Sequence, residues 1–176
     1  MMTLSSIFGK DLHRTVLASV LSLVFVAVLG GSVLAGELPK QGTYETEWTF
    51  SGPYTSIDLG EEDFGWISNF TIIRWNTSGG ELFKGGISAD CIGMGGSRGK
   101  LGASGYCIFI DGDGDNIYEY WYDTEDGKGV GVMLGGTGKY KGIQGEDHYE
   151  NVFTADAPEG TFHGIGSDKG SYTITP

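Results

Sequence analysis

Short runs in which apolar and polar residues alternate, separated by glycine-containing turns, dominate this chain from residue 43 onward. The clearest run places Tyr44, Thr46, Trp48 and Phe50 in alternation with polar or charged neighbours. This period of two is typical of a β-strand with one buried face and one solvated face. No segment has a sustained helical period, and the 32 glycines of the chain recur too often for long helices. The sequence therefore predicts an all-β protein.

Eight or nine such runs follow one another at regular spacing, which is typical of a β-barrel or a β-sandwich. Gly52-Pro53 is predicted to end the first run, because proline cannot donate to a strand ladder. The glycine-rich stretch 135–145 is predicted to form a corner that breaks a strand. Further strands are predicted at 54–59, 66–75, 86–93, 101–110, 116–123, 129–134, 147–153 and 161–174.

The first 35 residues have the pattern of a secretory signal peptide. Lys10 and Arg14 precede an apolar run, and small or valine side chains lead to a predicted cleavage after Ala35. The alternative is an uncleaved membrane anchor, since about twenty apolar residues can span a bilayer. Cleavage would leave residues 36–176 as a single secreted or periplasmic domain that is not held at a membrane.

The predicted mature chain is strongly acidic. Removing residues 1–35 takes away two basic residues and Asp11, which leaves 9 Lys and Arg against 22 Asp and Glu, a net charge of −13. Such a surface repels nucleic acid and anionic membranes, so neither is expected as a partner.

Cys91 and Cys107 are the two cysteines of the chain, and both lie in the predicted exported part. An even count in an oxidising compartment predicts one disulfide, with two buried free thiols as the alternative. The bond would close a glycine-rich loop and would contribute about 3 kcal/mol in the chain-entropy model.

The best-defined hairpin joins 107–110 to 117–122 through an acidic turn. Pairing across that turn puts Cys107, Phe109, Ile117, Glu119 and Trp121 on one face, and a second apolar set, Tyr106, Ile108, Tyr118 and Tyr120, on the other. Because both faces are apolar, we expect each face of the hairpin to be covered by another part of the protein or by a partner. The barrel interior would cover one face, and a loop or a neighbouring subunit the other.

Four motifs occur in order along the chain: Ala-Asp-Cys at 89–91, Gly-Tyr-Cys at 105–107, Asp-Gly-Asp-Gly-Asp at 111–115 before an aromatic strand, and Gly-Gly-Thr-Gly-Lys-Tyr-Lys-Gly-Ile at 135–143. This series resembles small exported bacterial proteins of the allene-oxide-cyclase and dirigent barrel superfamily. The resemblance implies an eight-stranded antiparallel barrel with an apolar cavity, often in a homotrimer, whose enzymes need no cofactor. A β-sandwich is the second choice of fold. The catalytic residues of the plant cyclases have no counterparts that map onto this chain.

The acidic turn is a candidate calcium site. Asp111, Asp113 and Asp115 are alternating carboxylates on a tight turn, and calcium takes several oxygen ligands. Asn116 and Tyr122 break the EF-hand pattern, and Asp and Gly are also good turn formers. No other cofactor is expected.

The remaining candidates concern the barrel interior. Trp48, Phe50, Phe109 and Trp121 are predicted to line a pocket for a small apolar ligand. If the face that carries Glu119 lines the cavity, burial would raise the pKa of Glu119 and make it a candidate acid, base or ligand anchor. The alternative is a glutamate at the rim of the cavity.

The leading function predicted from the sequence is ligand binding. The alternatives are a cofactor-free cyclase or isomerase in the same cavity, and a structural or interaction protein whose barrel is filled.

Overall fold

The computed structural model of the protein describes residues 38–97, 102–126, 128–154 and 156–175. The predicted signal peptide, 1–35, lies outside the described residues. One single-turn 3-10 helix, Gly138–Tyr140, lies at the predicted glycine corner. The strands are β1 (Gln41–Gly60), β2 (Asp63–Asn76), β3 (Ile87–Gly96), β4 (Ser104–Ile110), β5 (Asn116–Asp123), β6 (Gly129–Gly136), β7 (Ile143–Phe153) and β8 (Thr161–Ile174).

The eight strands form one closed antiparallel barrel. Each strand pairs with the next along the chain, and β8 returns to pair with β1. Closure leaves no unpaired sheet edge, and about eight strands enclose room for side chains or for one small ligand. The predicted all-β barrel is confirmed, and the β-sandwich is wrong because all strands belong to one sheet.

The first strand is longer than the sequence pattern predicts. The predicted end at Gly52-Pro53 is wrong, because β1 runs through both residues, and the register with β2 is the same at Ser51 and at Tyr54. Pro53 is the last residue of β1 that pairs with β8. The proline therefore lies where β1 separates from β8, and the rest of β1 pairs with β2 alone, with a register shift between Asp58 and Gly60.

Aromatic side chains of β1 point into the barrel opposite glycines of β8. Trp48 pairs with Gly166 and Phe50 with Gly164, and a Cβ at either glycine would overlap the ring of its partner. Tyr44 lies opposite Gly170 in the same way. The glycines thus make room for large rings inside a narrow barrel.

One half of the barrel is filled by its own side chains. The connection between β2 and β3 brings Leu82 and Phe83 into the end of the barrel, where both are almost fully buried. Asn76 holds this segment, because its Nδ2 donates to the carbonyl of Leu82 at 2.7 Å. The other buried members of this core include Ile87, Ala89, Phe109, Ile117, Tyr140, Ile143, Tyr172 and Ile174.

The predicted disulfide is present. Cys91 on β3 and Cys107 on β4 lie directly opposite each other in the ladder and are bonded. Both are buried in the core. The bond therefore ties together the two strands that flank the glycine-rich β3–β4 connection.

The hairpin of β4 and β5 has the predicted register, with Phe109 opposite Ile117 and Tyr106 opposite Tyr120. Its outer face, however, is not covered by a loop of the described chain, since Tyr106 and Ile108 are exposed. Among the described residues, therefore, no loop covers this face, and a neighbouring subunit stays the predicted cover. No helix among the described residues is long and apolar enough to cross a membrane.

Candidate functional site

The second half of the barrel is hollow. It encloses a cavity of about 680 Å³ that reaches residues beside the β1–β2, β3–β4, β5–β6 and β7–β8 turns. This volume lies within the range of pockets that hold a small organic molecule. The barrel is consequently neither entirely filled nor entirely hollow.

The wall of the cavity is mostly aromatic, and the four residues predicted to bind a ligand, Trp48, Phe50, Phe109 and Trp121, all line it. Neighbouring rings pack edge to face, as in the pair of Phe70 and Trp121, whose centroids are 5.9 Å apart. The other aromatic lining residues are Tyr54, Phe64, Trp66, Tyr149, Phe153 and Phe162.

Four buried charged residues separate the cavity from the filled half of the barrel. This charged layer consists of Arg74, Glu119, Asp147 and Asp168. At its centre is Arg74 on β2, which is 3% exposed and points inward in phase with Ile72 and Phe70. Its Nη1 donates to Oε2 of Glu119 at 3.2 Å, and its Nη2 lies 3.0 Å from Oδ2 of Asp147. Arg74 thus holds carboxylates from two strands that do not adjoin β2.

Asp168 on β8 is the third carboxylate of this layer and forms an ion pair with Nη2 of Arg74. Thr46 on β1 links the two, because it accepts a hydrogen bond from Nε of Arg74 at 3.0 Å and donates its own hydroxyl proton to Asp168. Asp147 also accepts from the hydroxyl of Tyr44 at 2.9 Å and from the backbone N–H of Gly131. Every donor nitrogen of Arg74 is therefore engaged inside the barrel.

Aromatic rings surround the guanidinium as well. Its central carbon lies 4.7 Å from the ring centroid of Phe83 and 5.1 Å from those of Trp48 and Phe109. Rings at this distance favour a cation. Burial would lower the pKa of Arg74, but the carboxylates of Glu119 and Asp147 raise it above its ordinary value, so the residue stays charged.

Glu119 is the carboxylate of this layer that lines the cavity. The residue is 6% exposed, so it is a wall residue and not the rim glutamate of the alternative interpretation. Burial raises the pKa of Glu119 from 4.5 to about 7, with Arg74 opposing the shift and Asp147 adding to it. A carboxyl group with this pKa can hold or release a proton near neutral pH.

A second polar pair lies in the wall. Tyr149 on β7 donates its hydroxyl proton to Oδ1 of Asp123 on β5 at 3.0 Å, and both residues line the cavity. Burial raises the pKa of the Asp123 carboxyl, and the hydrogen bond from Tyr149 opposes that shift. Burial also raises the pKa of Tyr149, so its hydroxyl remains protonated.

Sequence reasoning did not identify Arg74, Asp147 or Asp168. Each occupies an inward position of its strand, and in β2 the arginine follows the inward apolar residues Phe70 and Ile72. A charged residue in the buried phase of a strand was the signal that could have located this layer.

The acidic turn lies apart from the cavity. Nζ of Lys139 lies 2.7 Å from Oδ2 of Asp111 and 2.6 Å from Oδ2 of Asp113. Asp115 accepts from the backbone N–H of Lys139 at 3.0 Å. The described residues contain no group of three or more His, Cys, Asp or Glu arranged to hold a metal ion. Calcium binding at this turn stays a prediction.

Comparison with known proteins does not assign this chain to a family. No protein-family model matches the chain, and no curated protein matches it. A solved structure similar to it is that of a pterocarpan synthase dirigent protein, with 13% sequence identity and a TM-score of 0.44, covering 78% of this chain and 88% of the other. At this identity and score the similarity carries no information on activity, ligand or site residues.

Proposed function

We propose that this protein binds one small, largely apolar ligand in the hollow half of its barrel. The observation that supports the proposal is the cavity itself, about 680 Å³ in volume and walled mainly by aromatic side chains. A folded protein ordinarily fills its interior to crystal-like density. Here one half of the barrel follows that rule, and the other half leaves room.

The cavity also differs from a simple hydrophobic pore. Its wall carries a few polar groups at defined places, namely Glu119 and Arg74 in the charged layer and the Asp123–Tyr149 pair. Ligand pockets typically combine apolar walls with a small number of such groups, which fix the orientation of the ligand. We therefore expect an amphiphilic ligand whose polar part lies against the charged layer.

We also propose that the protein is exported to an oxidising compartment. The Cys91–Cys107 disulfide is of the kind that persists outside the cytosol. A secreted or periplasmic protein with a largely apolar cavity could carry or sequester a molecule that is poorly soluble in water.

Binding can be tested with N-phenyl-1-naphthylamine, a neutral apolar fluorophore. We expect saturable binding at one site per chain with micromolar affinity and quenching of tryptophan fluorescence. Trp121→Ala should weaken binding at least fivefold, because the indole lines the cavity. Tyr118→Ala, which removes an aromatic ring from the outer face of the same strand, should leave the affinity unchanged. Absence of saturable binding would contradict the proposal.

A second candidate function is a cofactor-free isomerase or cyclase in the same cavity. It is favoured by one observation, the buried Glu119 that faces the cavity with a pKa of about 7. General acids and bases work best with a pKa near the operating pH. In this reaction Glu119 would take a proton from carbon at one position of the ligand and return it at another.

Ligand that co-purifies with the protein provides a test of this second function. Incubated in D₂O, the wild-type complex should incorporate deuterium into the ligand, as seen by mass spectrometry. The Glu119→Gln variant, supplied with enough of the same ligand to fill its cavity, should show no incorporation. If the wild-type complex also fails to exchange, the binding function stands and the enzymatic one is excluded.

A further inference from the structure

The charged groups of the cavity wall are mostly negative. Among the described lining residues, the charged side chains are Arg74, Glu119 and Asp123. All donor nitrogens of Arg74 already contact Thr46 or carboxylates within the barrel wall. A ligand that enters the cavity therefore meets carboxylate oxygens, and an anion would have to compete with the carboxylates of the barrel for the guanidinium.

The charge of the layer below the cavity has the same sign. Arg74 supplies one positive charge, whereas Asp147 and Asp168 are two carboxylates in direct ion pairs with it. The layer therefore has a net negative charge when Glu119 is protonated, and a larger one when Glu119 is ionised. In a buried setting of low dielectric such an excess attracts a cation and repels an anion strongly.

The aromatic wall favours a cation as well. Trp48, Trp121, Phe70 and Phe162 line the cavity together with Glu119. Aromatic faces attract ammonium and guanidinium groups through the ring quadrupole, and more so where water is excluded. Arg74 shows that the barrel already holds one cation in this way, 5.1 Å from the ring centroid of Trp48.

We propose that the ligand of this cavity is an organic cation, a protonated amine or quaternary ammonium group on an apolar body. The nitrogen lies against the carboxylate of Glu119, and the apolar body lies among the aromatic rings. This inference rests on the proposed ligand-binding function and specifies the chemical class of the ligand. It excludes fatty acids and other apolar carboxylates as preferred ligands.

Binding of such a cation should release a proton. The titratable and charged groups that interact with Glu119 are Arg74 from β2, Asp147 and Tyr149 from β7 and Tyr44 from β1, and Asp168 from β8 is paired with the same Arg74. Burial keeps the pKa of both tyrosines above the ordinary value of 10, so they stay neutral near pH 7. A cation beside Glu119 favours its ionised form, so affinity for the cation should rise between pH 6 and pH 8.

The test uses three probes with one apolar body: 2-naphthylmethylamine (cationic), 2-naphthylmethanol (neutral) and 2-naphthoate (anionic). Isothermal titration at pH 7.5 should find the amine bound at least tenfold more tightly than the alcohol, with 2-naphthoate weakest. Titrating the amine in two buffers of different ionisation enthalpy should detect release of a fraction of a proton. These wild-type measurements do not depend on the folding of any variant.

Glu119→Gln keeps the shape of the side chain and removes its charge. It should reduce amine affinity at least tenfold, change alcohol affinity less than threefold and abolish proton release. Glu47→Gln, on the outer face of β1, alters the net charge equally and should change none of these values.

The outcomes separate the two proposals. If none of the three probes binds, the ligand-binding function itself fails. If the alcohol binds as tightly as the amine, or 2-naphthoate binds most tightly, the cavity binds ligands and the inference of a cation is overturned. That inference is also overturned if amine affinity is independent of pH and of Glu119.

Discussion

Nη1 of Arg74 on β2 and Oε2 of Glu119 on β5 lie 3.2 Å apart inside the barrel, and neither residue is more than 6% exposed. The two positions are 45 residues apart in sequence and on strands that do not pair with each other. Their contact therefore depends on the closed barrel. It also links the cavity wall to the buried charge of Asp147 and Asp168.

Removing Arg74 should strongly destabilise the fold. Arg74→Met keeps most of the side-chain volume but leaves the carboxylates of Glu119, Asp147 and Asp168 without their common cation. Loss of one partner of a buried ion pair typically costs about 3–5 kcal/mol. Urea denaturation at pH 7 would measure this as a lower midpoint.

The control for this variant is Lys84→Met, which breaks the exposed pair of Lys84 and Glu81. Exposed pairs contribute about 0–1 kcal/mol, so the midpoint should move little. A loss of under about 1 kcal/mol in Arg74→Met would mean that the charged layer does not stabilise the barrel.

The stability of the protein should fall as pH rises from about 4.5 to about 7. Glu119 has a folded-state pKa of about 7 against 4.5 for the ordinary side chain. In that window the folded state binds more protons than the unfolded state, so the free energy of unfolding decreases with pH. The shift corresponds to about 3 kcal/mol in total.

Glu119→Gln has no carboxyl group to ionise, so its melting temperature should change less with pH across this window. Glu47→Gln should keep the wild-type slope, because its side chain is on the outer face. Equal slopes in wild type and Glu119→Gln would contradict the raised pKa of Glu119.

Much of the fold was predictable because strand periodicity is a local property. The alternation around Trp48 identified β1, and the acidic turn fixed the register of β4 and β5, so Phe109 and Glu119 were correctly placed on one face. The same reasoning ended β1 at Pro53. That error arose because pairing partners, which a local pattern does not contain, decide whether proline is tolerated.

The charged layer could not be predicted from local sequence patterns for the same reason. Arg74, Asp147 and Asp168 belong to three strands, and only the closure of β8 on β1 brings them to one level of the barrel. The division into a filled half and a hollow half was equally hidden. It depends on Leu82 and Phe83, which lie in a connection and not in a strand.

Calcium should have little effect on the wild-type protein. Nζ of Lys139 contacts both Asp111 and Asp113, so an ammonium group already lies where a cation would bind. We expect millimolar calcium to raise the melting temperature by less than one degree. In Lys139→Met the carboxylates lose this partner, and a small rise should be measurable and absent from Lys139→Met combined with Asp113→Ala. A rise of several degrees in the wild type, abolished by Asp113→Ala alone, would contradict this.

The outer face of β2–β5 should mediate self-association, and we expect a homotrimer. Ile92, Met94 and Tyr106 are each more than half exposed and lie on adjacent strands, forming a contiguous apolar surface. Surfaces of this kind commonly mark contacts between proteins. Light scattering at tens of micromolar protein should give a mass above that of one chain. Ile92→Lys should lower this mass, whereas Ile165→Lys, on β8, should not. A monomer mass for the wild type would contradict the expectation.

The central claim, that the hollow half of the barrel binds a small ligand, can be tested through the four tryptophans. Trp48, Trp66 and Trp121 line the cavity and Trp75 does not. In ¹H–¹⁵N NMR spectra recorded during titration with 2-naphthylmethanol, the indole N–H signals of the three cavity tryptophans should shift together and saturate. That of Trp75 should stay in place. Indole signals that do not shift, or a shift of Trp75 alongside the others without saturation, would contradict binding in the cavity.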